Sequence, residues 1–159
     1  VFVLIRYDIE MSKHFLFLEE KMTIQFDYLC KQYSEIVIDR TFFTTLAYCY
    51  ARSKINNTQE EYISLLRVYE GIKHTITFPT HVIYLDVSID ESIKRRTPYS
   101  KDSRYKSWFD PIFLGYLKEF YTTELKKFFP TILLHVNTTG LEIEDVANRI
   151  NNVLCKTEI

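Results

Sequence analysis

Four short runs of apolar and β-branched residues, at 1–5, 35–38, 81–87 and 131–136, alternate with stretches of helical periodicity, and this alternation restricts the fold more than any other feature. Each run is nearly continuous in apolar character and lacks strict alternation, so each reads as a strand buried on both faces. Strands that alternate with helices imply a parallel sheet with right-handed crossovers. The expected class is therefore α/β in a three-layer form, with helices on both faces of the sheet and a single domain over 1–159.

The helical stretches carry their own start and stop signals. Ser12 caps a helix through about Tyr33, with Phe15, Leu18, Met22, Phe26 and Leu29 on one buried face. Residues 44–52 continue helical. Thr58, followed by Glu60 and Glu61, opens a helix whose apolar stripe is Tyr62, Leu65, Leu66, Tyr69 and Ile72. Asp90 caps a shorter helix ending near Arg96, before Pro98. Residues 97–107 are polar and basic, almost without aliphatic anchors, and read as a mobile loop. Asp110-Pro111 starts a helix to about Phe128. Gly140 precedes a last helix carrying Leu141, Ile143, Val146, Ile150 and Val153.

Composition excludes several classes of protein. A hydrophobic content of 47% and an aromatic content of 16% offset the entropy of ordering, so the chain folds. The formal net charge of -1 gives no global attraction to nucleic acid or to an anionic membrane, and neither is expected as a partner. Cys30, Cys49 and Cys155 are far apart and show no C-x-x-C or Cys/His metal spacing. A reduced, intracellular protein is expected, with Cys30 and Cys49 as small core residues and Cys155 in the tail. No apolar run approaches the roughly 18 residues that span a bilayer, and no signal-peptide pattern opens the chain. A cytoplasmic location follows as the expectation.

The candidate chemistry begins at Ile36-Val37-Ile38-Asp39-Arg40, where a β-branched run ends on an acid and a base and passes into the hydroxyl-rich stretch Thr41 to Tyr48. Open α/β sheets bind ligands at the carboxyl ends of their strands. Asp39 can hold a magnesium ion beside a phosphate chain, or it caps the following helix. Arg40 can grip phosphate oxygens with its planar fork, or it pairs with a nearby glutamate.

The stretch Asp39-Arg40-Thr41-Phe42-Phe43-Thr44-Thr45-Leu46-Ala47-Tyr48 resembles the Asp-Arg-Tyr-x-x-Ser-x-x-Ala-Tyr signature of thymidylate kinases and related deoxynucleoside kinases. Upstream, His14 to Lys21 is similar to the helix of that family that stacks a ring on the acceptor base. The resemblance implies Phe17 as the stacking ring, Lys21 in place of an arginine near the acceptor phosphate, and Thr44 and Tyr48 at the acceptor. Downstream, His81 to Val87 resembles the family's Ile-Tyr-Leu-Asp strand, and Ser88 to Arg96 the helix leading into its lid.

A lid over about 95–108 would then carry Arg95, Arg96, Lys101, Arg104 and Lys106 as cations, with Arg95 and Arg96 at its hinge and Arg104 near the nucleotide. A basic mobile loop suits phosphoryl transfer because it closes over phosphates and screens charge. Each of these residues can equally be a solvated surface charge. Asn137 and Thr138 fall where the family places the loop beside the adenine of ATP, although a polar turn is expected there on turn chemistry alone. Asp86 reads as a brace for the turn after its strand.

The resemblance implies a P-loop-type kinase that transfers the γ-phosphoryl of ATP, with Mg2+, to a nucleoside or nucleotide. A homodimer is allowed. Asp39, Arg40, Arg95 and Arg96 would be its catalytic residues, with Asp39 also the metal ligand. Two departures stand out. Cys49 occupies a glutamine position, so a thymine acceptor is not implied, and no Gly-x-x-x-x-Gly-Lys-Ser/Thr loop occurs anywhere. The chain opens on Val1 directly into a strand run, so a further N-terminal strand, loop and helix are expected, and the 159 residues are expected to be inactive by themselves. The alternative is a non-catalytic relative that binds a nucleotide or a protein on the same scaffold. An unrelated α/β hydrolase would need a nucleophile motif that the chain lacks.

Overall fold

The computed structural model describes residues 21, 25–26, 28–39, 41–97, 103–131 and 133–157. The chain divides into two compact units, Val1–Phe78 and Pro79–Ile159, taken in turn below. The expected strand at 1–5 and the expected start of the first helix at Ser12 lie outside the described residues.

In the first unit, a helical stretch ends at Leu29 and closes in a turn at 30–32, where the Cys30 amide donates to the Phe26 carbonyl at 2.8 Å. The expected strand at 35–38 is not formed: these residues pair with no strand among the described residues, and Val37 is 94% exposed. β-branched residues favour a strand only where a pleated neighbour receives them, and none of the described residues does so here. Helix α1 (Phe42–Asn56) follows, capped by Thr41, whose Oγ1 accepts from the Phe43 amide. Thr41 therefore takes the capping role that one reading gave to Asp39.

Phe42, Leu46, Cys49, Tyr50 and Ser53 recur at three-to-four spacing and form the buried face of α1. The helix stops at Asn57, which adopts a left-handed conformation (φ 52°), and the chain reverses into α2 (Glu60–Ile72). Gln59, not Thr58, is the cap position, while the Thr58 amide bonds back to the Ser53 carbonyl. Phe42 stacks on Tyr69 at 5.4 Å and Tyr50 meets Tyr62 edge-on at 5.3 Å, so the start of α1 faces the end of α2. The two helices form an antiparallel hairpin held by aromatic contacts.

The second unit is a β-α-β arrangement. Strand β1 (Val82–Asp86) leads to α3 (Ile89–Arg96), a 3-10 segment (Ser103–Phe109), α4 (Pro111–Glu119), a π-helical turn (Phe120–Glu124) and α5 (Leu125–Phe128). Strand β2 (Leu133–Asn137) and helix α6 (Ile143–Thr157) complete it. β1 and β2 pair in parallel, with Val82 opposite Leu133 and Asp86 opposite Asn137. A parallel pair needs such a long crossover, since no short turn can reverse the chain twice.

Ser88, not Asp90, caps α3, accepting from the Glu91 amide. Asp110 caps α4 through bonds from the Ile112 and Phe113 amides, with Pro111 in the first turn, as the sequence signals require. Part of the polar stretch 97–107, read as a loop, is the 3-10 segment. Phe113, Leu114, Phe120, Leu125, Phe129 and Val136 form the core of this unit. The described chain is thus a mixed α/β protein with a two-stranded parallel sheet, and no helix of it is long and apolar enough to cross a membrane.

Candidate functional site

The two strands of the second unit end side by side, and their carboxyl ends are tied together. The Thr138 amide and hydroxyl both donate to the Asp86 carbonyl, at 2.7 and 2.9 Å. The Ser88 amide donates to Thr139 Oγ1 at 2.9 Å, and Arg149 Nη1 donates to the Asn137 carbonyl at 3.3 Å. Such ties satisfy backbone groups that leave the ladder at the strand ends.

On one face of this edge lies Asp86, whose carboxylate is buried and receives three donors. Lys118 Nζ from α4 stands at 2.8 Å, His135 Nε2 at 3.0 Å and the Tyr84 hydroxyl at 3.2 Å. Burial pushes the Asp86 carboxyl up, but bonds from Lys118, His135 and Tyr84, with the lysine charge, more than offset this and hold it below its ordinary value. Burial also raises the Tyr84 phenol, reinforced by the Asp86 charge and hydrogen bond. The Tyr84 ring stacks with Tyr121 at 5.0 Å and with His135 at 5.2 Å, both nearly parallel to it. Tyr121 belongs to the π-helical turn, a form that gathers at functional sites and here presents the ring to the stack. The Asp86 carboxylate thus ties β1 to β2 and to α4, and none of these bonds goes to the turn after its strand that it was expected to brace.

The other side holds a groove with a volume of about 510 Å3, bounded by Leu85 of β1 and Val87 just after it, Arg95 and Arg96 of α3, and the apolar side of α6. Arg95 donates to Glu91 Oε1 at 3.0 Å, to the Thr138 carbonyl at 3.2 Å and to the Leu141 carbonyl at 3.4 Å. The hinge arginine of the expected lid is thereby fastened to the turn after β2. Arg96 lies over the Trp108 ring at 5.3 Å, and its Nη1 is buried without a hydrogen-bond partner among the described residues.

Of the residues singled out from the sequence, the fold brings Arg95, Arg96 and Thr138 to one groove. Asn137 stands at the strand end, its Oδ1 accepting from the Thr139 amide at 3.0 Å. Arg104 lies in the 3-10 segment, and Lys101 lies outside the described residues. In the first unit, Asp39 sits exposed on a bend and Lys21 is exposed. Thr44 and Tyr48 are half-buried in α1. Phe17 and Arg40 lie outside the described residues.

Lys118 and His135 were not anticipated. The signal for them was the burial expected of Asp86 itself, since an acid ending an apolar strand needs donors from its neighbours. His135 lies opposite Tyr84 in the register, two residues from the Asp86 position, and strand periodicity puts all three on one face.

Among the described residues no three His, Cys, Asp or Glu side chains gather into a metal-binding group. Magnesium in nucleotide sites takes one or two carboxylates with substrate phosphates, and Asp39 offers one. The sequence contains no glycine-rich cradle for a triphosphate. Among the described residues the set for a magnesium-triphosphate site is thus incomplete. No protein-family model matches this chain, and no curated protein matches it.

Proposed function

We propose that this chain is the nucleotide-binding body of a nucleoside or nucleoside-monophosphate kinase. The observation that carries the reading is the meeting of Arg95, Arg96 and Thr138 in one groove at the carboxyl ends of two parallel strands, the edge where α/β sheets bind nucleotides. The Asp39-Arg40 signature and the Ile83-Tyr84-Leu85-Asp86 strand support it. On this reading the three-layer sheet is the complete architecture. Arg96 faces the nucleotide, and Asp39, Arg40, Phe17, Thr44 and Tyr48 serve the acceptor, with magnesium and ATP supplying the transferred group.

A second reading, a binding protein without catalysis, is favoured by one specific observation. Arg95 is already engaged by Glu91 and two backbone carbonyls, so it is committed to structure. The two readings separate in one assay. The protein expressed from its full reading frame is incubated with radiolabelled ATP, magnesium and a panel of nucleosides and nucleoside monophosphates, and nucleotide binding is followed by calorimetry. Transfer to an acceptor, lost in Asp39→Ala with the melting curve unchanged, supports the kinase. Binding without transfer supports the second reading, and neither binding nor transfer removes both.

A further inference from the structure

Two neighbouring arginines in the last turn of α3 line the same groove and are held in different ways. Arg95 is bonded to Glu91 and to the Thr138 and Leu141 carbonyls, so it moves only by breaking these bonds. The Arg96 guanidinium instead lies over the Trp108 ring, 5.3 Å from its centre, and its Nη1 is buried with no hydrogen-bond partner among the described residues.

The position of Arg96 is a balance between two opposed effects. A buried N–H without an acceptor forfeits its hydration. The stack on the indole, stronger where water is excluded, offsets part of that loss. A phosphate that accepts two charge-assisted bonds from the planar fork offers more than an aromatic face does. A buried nitrogen reaches no ligand in the groove until the guanidinium leaves the ring, so the two contacts exclude one another. The ring itself stands on an element suited to movement, because Ser103–Phe109 is a 3-10 segment, a form with weaker hydrogen bonds than the α-helix and often found at hinges.

We propose that Trp108 is a gate on the groove: stacked on Arg96 it withholds that cation, and a nucleotide engages it only by drawing the guanidinium off the ring. The gate rests on the nucleotide reading of this groove and adds its regulation. Only the unstacked fraction of the protein is competent, and the apparent affinity is lowered by that fraction. Arg95, fastened on three sides, keeps its place in both forms.

Trp108 is the one tryptophan of the chain, so its fluorescence reports the gate without any substitution. The full chain is titrated with ATP by calorimetry, and acrylamide quenching of the tryptophan is measured with and without saturating ATP. The expected result is a quenching constant raised by about twofold or more as the ring loses its cover. Trp108→Leu should bind ATP about threefold tighter or better, because nothing holds Arg96 back. Arg96→Met should bind about tenfold more weakly, and adding Trp108→Leu to it should bring no gain. ATP binding with quenching unchanged or reduced overturns the gate and leaves the nucleotide reading standing, and this arm needs no variant to fold. A folded Trp108→Leu that binds ATP no tighter overturns it as well, as does an equal gain in the Arg96→Met background, since the ring would then act without the arginine. No binding of ATP overturns the nucleotide reading and the gate with it.

Discussion

Asp86 Oδ2 and His135 Nε2 stand 3.0 Å apart on diagonal positions of two parallel strands, and the same carboxylate takes Lys118 from α4 at 2.8 Å. One acid thus joins both strands and the crossover helix. Asp86→Asn removes the charge and leaves the Lys118 ammonium and the His135 ring facing an amide. The expected cost at neutral pH is about 1–3 kcal/mol, toward the lower end because the Lys118 and His135 side chains are 39% and 47% exposed and solvent screens them. The net lowering of the Asp86 carboxyl sets the pH dependence. The stability is fully present above the unfolded carboxyl value of about 3.9 and is lost as pH falls through the lower folded value. Urea melts of both proteins should therefore differ at pH 7 and converge in strong acid. A constant difference across the range would exclude the carboxylate as the cause.

Tyr69 carries the opposite sign. Burial first, then the Glu70 charge, push its phenol up to about 12. A raised value means stability that is complete below the unfolded value near 10 and is lost as pH rises toward 12. Between those limits the wild type should lose about 2 kcal/mol that Tyr69→Phe does not. Phenylalanine keeps the ring on Phe42 and Phe43. Parallel alkaline denaturation curves for the two proteins would rule the effect out.

Phe120 is fully buried at the start of the π-helical turn and meets Tyr121 edge-on at 5.6 Å. Phe120→Ala should cost about 3–5 kcal/mol through the cavity it leaves. Near-ultraviolet circular dichroism should also weaken, since Tyr121 loses the ring that backs its stack on Tyr84. A loss under 1 kcal/mol in urea unfolding would mean that the turn collapses to fill the space.

The thiols differ in access. Cys30 is exposed, whereas Cys49 is fully buried with Arg52 Nη2 at 3.3 Å. Iodoacetamide under native conditions should alkylate Cys30 within minutes and reach Cys49 only in denaturant, because a buried thiol is inert to a bulky reagent. Peptide mapping by mass spectrometry distinguishes the two, and rapid native labelling of Cys49 would show that α1 opens.

Much of the second unit was legible in the sequence. Apolar runs at 81–87 and 131–136 became β1 and β2, and the Asp110-Pro111 signal became the cap of α4. Caps were less secure where several polar residues competed: Ser88 displaced Asp90 and Thr41 displaced Asp39, because geometry of a single turn decides which oxygen reaches an amide. Cys30 also departs from its expected place in the core, since the helix ends one residue before it.

The sequence by itself determined the helices, whose apolar stripes and breakers are local and repeat every three to four residues. It also indicated that β1 and β2 run parallel, since each run is followed by a helix and no hairpin turn joins them, but only the tertiary structure made them neighbours. Only the tertiary structure decided that residues 35–38 form no strand, because pairing depends on a neighbour that local preference cannot supply. It alone brought Lys118 and His135 to Asp86 and placed Arg95 on the Thr138 carbonyl, partners 32, 49 and 43 positions apart in the chain. Contacts at such separations are set by how the crossover helices pack on the strands, and no pattern of neighbouring residues encodes them.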